Sequence, residues 1–135
     1  MFDQRRYRIL AVVADTATRR GLEKAVEGTD WTVEFVYQVQ EALSRLREEL
    51  APVVICEAEG VGEWRELLGD GTGLPFVVVT SRLPDEELWL EVLRAGGYDV
   101  LGLPVEKREL GRVLQVAGSH WRHRRMRAGS LAAAS

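Results

Sequence analysis

The chain has 135 residues, of which 46% are apolar and 29% charged, and it carries a net charge of −3. This length suits one domain with a hydrophobic core, and the acidic balance argues against a general binder of polyanions. The single cysteine, Cys56, excludes an internal disulfide bond, and no run reaches the roughly 18 apolar residues that a membrane helix needs. We therefore expect a cytoplasmic protein that does not act in a membrane.

Five apolar or alternating segments predict strands. In chain order they are residues 7–14, 31–37, 53–57, 76–81 and 98–103. A helical spacing of apolar residues follows each strand, and Thr16 or Thr18 is placed to cap the first helix. The later helices are predicted over residues 40–50, over 63–68, from 84 or 85 to 96, and from about 105 onward.

This alternation of strand and helix predicts the fold class. Such units form an α/β fold with a parallel sheet and right-handed crossovers. We expect a doubly wound, five-stranded sheet in the order 2-1-3-4-5, in which the first and third strands lie side by side at the topological switch point. The domain is predicted to span residues 1–127, and the small, featureless residues 128–135 are predicted to form a disordered tail.

Polar residues stand where three of the strands end. Asp15 follows the first strand, Glu57 ends the third, and Thr80 lies near the end of the fourth. Because the carboxyl ends of parallel strands share one edge of the sheet, Asp15 and Glu57 should face each other across the switch point. Two carboxylates there are candidate ligands for a hard divalent cation. With no lysine beside them, their repulsion should raise one pKa or attract a cation.

Four segments together resemble the receiver domain of two-component response regulators. They are residues 9–15, 53–57, 75–81 and 95–104. The resemblance covers nearly the whole chain, from about residue 7 to residue 123, and implies a flavodoxin-like (βα)5 three-layer sandwich. It also implies a signalling module that takes a phosphoryl group from a histidine kinase, with Mg²⁺ bound by an acid pair and the acceptor aspartate.

The positions that carry phosphoryl transfer in that family are altered here. Ala14 replaces the first acid of the pair, which leaves only Asp15. Glu57 stands at the phosphoacceptor position, and Leu103 stands at the lysine position. Glutamate is one methylene longer than aspartate, and a misplacement near 1 Å can already cost about a hundredfold in rate. We therefore expect a non-enzymatic module that is not phosphorylated and needs no cofactor, with Mg²⁺ binding at Asp15 and Glu57 disfavoured.

The switch positions of the family are only partly kept. Thr80 and Pro104 match the family pattern, whereas Val100 replaces the usual aromatic residue. Two interpretations of Glu57 stay open: it mimics the phosphorylated state, or it is a solvated acid at an abandoned site. The missing ring at Val100 favours the second. Cys56, inside an apolar run, is predicted to be a core residue and not a nucleophile.

Two tryptophans are candidate contacts for protein partners. Trp89 on the fourth predicted helix and Trp121 on the last helix are assigned to the surface formed by the fourth helix, fifth strand and fifth helix, which receivers use for dimerisation and output. We expect a homodimer through this surface and a histidine kinase or an output protein as partner. Arginines follow Trp121, but a solvated helix end accounts for them, and nucleic acid is not the expected partner.

Two alternatives remain. One is a phosphorylatable response regulator of a phosphorelay with an altered acceptor site. The other is a small-ligand binder, which would need a larger pocket at the switch point than we expect Asp15, Glu57 and Leu103 to leave.

Overall fold

The computed structural model describes the backbone of residues 7–69 and 75–134, and the side chains of those residues up to 124 and at 126. Within these ranges the strands are β1 (Arg8–Val12), β2 (Thr32–Val36), β3 (Val53–Glu57), β4 (Phe76–Ser81) and β5 (Asp99–Gly102). The helices are α1 (Thr16–Val26), α2 (Val39–Glu48), α3 (Glu86–Ala95) and α4 (Lys107–Ala134). The third crossover carries a 3₁₀ turn (Trp64–Leu67) where a short helix was predicted.

The five strands form one parallel sheet in the order β2-β1-β3-β4-β5, as predicted. β1 lies between β2 and β3, with Ile9 opposite both Val33 and Val53. The chain therefore reverses its winding direction between β1 and β3, and this switch point opens at the carboxyl ends of the strands. Glu57, at the end of β3, lies opposite Thr80 of β4.

Two apolar layers enclose the sheet. One layer packs α1 and α4 against the sheet through residues such as Leu22, Leu110 and Ile55. The other packs α2, the 3₁₀ turn and α3 through residues such as Val39, Trp64, Val92 and Cys56. Because helices cover both faces, Val53 to Cys56 are all fully buried, which explains the unbroken apolar run of β3.

The helix ends depend on short polar and glycine signals. Asp15 caps α1, since its carboxylate accepts a hydrogen bond from the backbone N–H of Thr18 at 2.9 Å. The prediction that Thr16 or Thr18 caps this helix is therefore wrong: the acid immediately before the first turn supplies the acceptor. Asp85 caps α3 in the same way, and Gly96 ends it with a φ of 104°.

The last helix differs from the prediction at its far end. The stripe formed by Leu110, Val113, Leu114, Ala117 and Trp121 is buried as expected. The backbone of α4 remains helical to Ala134, however, where a disordered tail was predicted from residue 128. Alanine and leucine dominate that segment and are strong helix formers, and a helix that has already begun extends readily. None of the helices described is long and apolar enough to cross a membrane.

Candidate functional site

The carboxyl edge of the sheet contains an open cavity of about 610 Å³, which we call the crevice. Asp15, Glu57, Thr80 and Leu103 all line it, so the structure brings together four positions that the sequence singled out. The crevice is larger than expected because it continues between the 3₁₀ turn and α3, where Trp64 and other apolar side chains form its wall.

The carboxylate of Glu57 is turned toward the loop between β1 and α1. Its Oε1 atom accepts hydrogen bonds from the backbone N–H groups of Ala14 at 2.8 Å and Asp15 at 2.9 Å. Successive backbone N–H groups of this kind form a small anion-binding concavity. Glu57 therefore links the end of β3 to the loop after β1, a role that neither interpretation of this residue from the sequence included.

Asp15 directs its carboxylate to the start of α1. Oδ2 accepts from the Thr18 N–H at 2.9 Å and from the Thr18 hydroxyl at 2.7 Å. These bonds to Thr18 hold the pKa of Asp15 below its ordinary value of 3.8, with a smaller contribution from the positive charge of Arg82. Repulsion from Glu57 was expected to raise the pKa of one member of the pair, and Asp15 shows the opposite shift.

Arg82 is a crevice residue that was not predicted from the sequence. Its Nη2 atom lies 3.8 Å from Oδ1 of Asp15, and its side chain is 79% exposed. It follows Thr80 by two residues, at the same edge of the sheet. Its position at a strand end could have identified Arg82 as a crevice residue from the sequence. Arg82 places a cation beside Asp15, although Leu103 stands at the lysine position of the family.

The donor set does not fit the Mg²⁺ ion that the family resemblance implies. Oδ2 of Asp15 is bonded to Thr18, Oε1 of Glu57 is bonded to two backbone amides, and the side chain of Ala14 has no donor atom. Among the described residues, no three His, Cys, Asp or Glu side chains are grouped to hold a metal ion. The family resemblance implies three acidic side chains around Mg²⁺, and this site retains two of them, Asp15 and Glu57.

The remaining switch positions lie in or near the crevice. Thr80 is 1% exposed, and its hydroxyl is buried with no hydrogen-bond partner among the described residues. Val100 packs beneath the α3 side of the sheet, and Pro104 follows a cis peptide bond from Leu103. Pro104 also lines a second cavity, of about 390 Å³, between α1 and the loop that precedes α4.

Arg65 connects the wall of the crevice to α3. Its guanidinium contacts Glu63 at 2.7 Å, forms an ion pair with Glu91 of α3, and lies 4.4 Å from the ring centroid of Trp64. Hydrogen bonds from Arg65 lower the pKa of Glu63 below its usual value. These contacts hold the 3₁₀ turn against α3.

Two further predictions concern Cys56 and Trp121. Cys56 is fully buried, and burial, with a smaller contribution from the charge of Glu57, raises the pKa of its thiol to about 12. The predicted core position of Cys56 is confirmed. Trp121 was assigned to an interaction surface, but it is 7% exposed and belongs to the core beneath α4. That assignment is wrong, because Trp121 continues the buried stripe of Leu114 and Ala117.

Trp89 remains a candidate surface contact. It lies on α3 and is 43% exposed, which is unusual for a side chain of this size. α3 is the helix called the fourth in the sequence prediction, since the third crossover contains only the 3₁₀ turn.

Response regulators and receiver domains are similar to this chain in sequence and in fold. The transcriptional regulatory protein ZraR of Salmonella typhimurium is 27% identical over 119 residues, which cover 84% of this chain and 27% of ZraR. The response regulator MprA of Mycobacterium tuberculosis is 30% identical over 108 residues, which cover 76% of this chain and 46% of MprA. A solved signal receiver domain of an HD domain-containing protein from Pseudomonas fluorescens superposes with a TM-score of 0.76 and 21% identity, covering 94% of this chain and 97% of that one.

The chain is a response-regulator receiver domain. The receiver domain spans less than half the length of the curated relatives named here. No family model matches its sequence.

Proposed function

We propose that this receiver domain is a non-enzymatic, protein-interaction module of two-component signalling that works without phosphoryl transfer to Glu57. The observation that carries the proposal is the pair of hydrogen bonds from the Ala14 and Asp15 amides to the Glu57 carboxylate. A carboxylate held in this way ties the end of β3 to the β1–α1 loop.

The chemistry of transfer supports the same conclusion. Phosphoryl transfer depends on positioning and on neutralising charge that spreads over the transferred oxygens. In this crevice the acid pair is reduced to Asp15, which caps α1, and the lysine position is occupied by Leu103. The proposal requires no cofactor, and the missing acid at Ala14 disfavours Mg²⁺.

We further infer that Glu57 keeps the β1–α1 loop in one arrangement. Arg19 acts on the same loop from its other side, since its Nε donates to the carbonyl of Val13 at 2.6 Å. The guanidinium of Arg19 also stacks on Tyr37, 4.0 Å from the ring centroid. A loop held from two sides suits a domain that presents one fixed surface to its partners.

The surface proposed for partners is formed by α3, β5 and α4. Trp89 supplies an exposed aromatic anchor, and Val116 of α4 is 39% exposed. We propose that a homodimer forms there and that a histidine kinase or an output protein binds the same module. Trp89→Ala should shift the protein toward monomer in light scattering, whereas Leu83→Ala, at a 78% exposed position beside the crevice, should not. A monomeric parent protein at high micromolar concentration would contradict the homodimer.

A fluorescence titration tests the function proposed for the crevice. Trp64 lines the crevice and should respond to a bound phosphoryl analogue. Adding beryllofluoride with Mg²⁺ to the unmodified chain should leave the tryptophan emission unchanged. The triple variant Ala14→Asp, Glu57→Asp, Leu103→Lys restores the family residues and is the positive control. A saturable change in the unmodified chain would refute the proposal.

The phosphorylatable alternative has one observation in its favour. Thr80 is in place, and its buried hydroxyl is available for a new hydrogen bond. A phosphorelay protein of this kind would show the saturable response in its unmodified form, so the same titration separates the two functions.

A further inference from the structure

We propose that the crevice binds an arginine or lysine side chain presented on a short basic segment of a partner protein. The inference deepens the proposed function and rests on it, because a crevice without Mg²⁺ and without the family lysine keeps an excess of negative charge. It assigns a ligand chemistry to a cavity in which Leu103 stands at the lysine position of the family.

Acidic residues outnumber basic residues in the lining of the crevice. Two arginines, Arg65 and Arg82, line the crevice together with six acidic residues: Asp15, Glu57, Glu59, Glu63, Asp85 and Glu91. Arg65 is already paired with Glu63 and Glu91, and Arg82 lies beside Asp15. Within the described residues neither arginine forms an ion pair with Glu57 or Glu59. A cation entering the crevice would therefore meet carboxylates that no side-chain cation neutralises.

Thr80 lies next to Glu57 in the sheet register. Thr80 lines the crevice, is 1% exposed, and has a hydroxyl without a hydrogen-bond partner among the described residues. A buried polar atom without a partner is unfavourable. A guanidinium or ammonium group has several N–H donors and no acceptor, so it could serve this hydroxyl and a carboxylate at once.

The crevice combines a large volume with an apolar wall. Its volume of about 610 Å³ exceeds what a metal ion needs and suits an organic group. Trp64, Leu83 and Leu88 contribute apolar surface to the wall. The aliphatic stems of lysine and arginine pack on such surface while the charged head reaches polar groups. This combination favours a basic side chain over a bare cation.

A titration followed by amide chemical shifts tests the proposal. The probes are a capped oligoarginine peptide, a capped oligoglutamate peptide and MgCl₂, each added to the isotopically labelled chain at low salt. The arginine peptide should produce saturable shifts at Asp15, Glu57 and Thr80, and raising the salt should weaken them because screening reduces exposed charge interactions. The glutamate peptide should leave these amides unshifted.

Three variants sharpen the test. Leu103→Lys supplies a cation within the chain and should abolish binding of the arginine peptide. Glu57→Gln keeps an oxygen acceptor for the two backbone amides but removes the charge, and it should weaken binding about fivefold, the effect of one unit charge about 4 Å away in water. Glu23→Gln, at an exposed position on α1, removes the same charge and should leave binding unchanged.

The outcomes separate this inference from the proposed function. Absence of shifts with millimolar arginine peptide, or shifts that persist in Leu103→Lys, would overturn the inference. Saturable binding of Mg²⁺ at the same amides, with or without peptide binding, would instead contradict the metal-independent function. Peptide binding that is lost in Leu103→Lys and kept in Glu23→Gln supports the inference.

Discussion

Replacing Glu57 with alanine should destabilise the fold by releasing the β1–α1 loop. The substitution removes two hydrogen bonds to a charged acceptor, at 2.8 and 2.9 Å, of which the one to Ala14 is exposed and the one to Asp15 is partly buried. The exposed amide regains water at little cost, so we assign it about 0.5 kcal/mol and the partly buried bond about 1 kcal/mol. The expected loss in free energy of unfolding is therefore about 1.5 kcal/mol.

Urea denaturation measures this loss. A loss of about 1.5 kcal/mol corresponds to a midpoint lower by about 1 M, for a slope within the range usual for small proteins. Glu57→Gln is the matched control, because its side-chain carbonyl can still accept from both amides and should retain most of the stability. Hydrogen exchange at the amides of Ala14 and Asp15 should accelerate in Glu57→Ala but much less in Glu57→Gln. An unchanged midpoint in Glu57→Ala, or equal losses in the two variants, would refute the assigned role.

Three further predictions address the cap, the tryptophans and the cysteine. Because the pKa of Asp15 is lowered on folding, its charged form stabilises the protein above pH 3.8, and this stabilisation is lost as the pH falls through the folded-state pKa. The difference in urea midpoint between the parent chain and Asp15→Asn should therefore become smaller in acid. Trp121→Ala should cost about 3–5 kcal/mol because it empties a core site, whereas Trp89→Ala should change stability by less than about 1 kcal/mol, as thermal denaturation would show. Cys56 should resist alkylation at neutral pH in the folded chain and react after denaturation, since its pKa is raised to about 12; rapid labelling of the native protein would contradict its burial.

The sequence predicted the architecture well because each strand carries its own evidence. The strand predicted over Val53–Glu57 matches β3 residue for residue. Its first four residues are all apolar because helices cover both faces of the sheet. The strand order then follows from the alternation of elements and the switch-point rule. The end of α4 was missed because a composition of small residues does not distinguish a fraying tail from a continued helix.

At the candidate site the sequence predicted proximity but not orientation. Asp15 and Glu57 line one crevice, as the strand ends required. Which way each carboxylate turns depends on the backbone N–H groups within its reach. Asp15 accepts from an amide three residues later in the chain, whereas Glu57 accepts from amides 42 and 43 residues earlier, which the order of side chains does not reveal. For the same reason the cap at Asp15 and the contact from Arg82 emerge only once the β1–α1 and β4–α3 loops are folded.

The wrong assignment of Trp121 to an interaction surface had a different cause. Its spacing from Leu114 and Ala117 already placed it on the inner stripe of α4, and the structure buries it there. Its assignment to an interaction surface gave weight to the residue type over the spacing. Trp89 lies three residues before the buried Val92 on α3, yet the fold leaves Trp89 43% exposed, so spacing alone did not decide its burial.

Intact mass spectrometry after incubation with acetyl phosphate and Mg²⁺ tests the central claim most directly. The account predicts no added phosphoryl group on the unmodified chain, and a single added group on the triple variant Ala14→Asp, Glu57→Asp, Leu103→Lys. A single phosphoryl group on the unmodified chain that disappears in Glu57→Gln would show that Glu57 is an acceptor and would contradict the account.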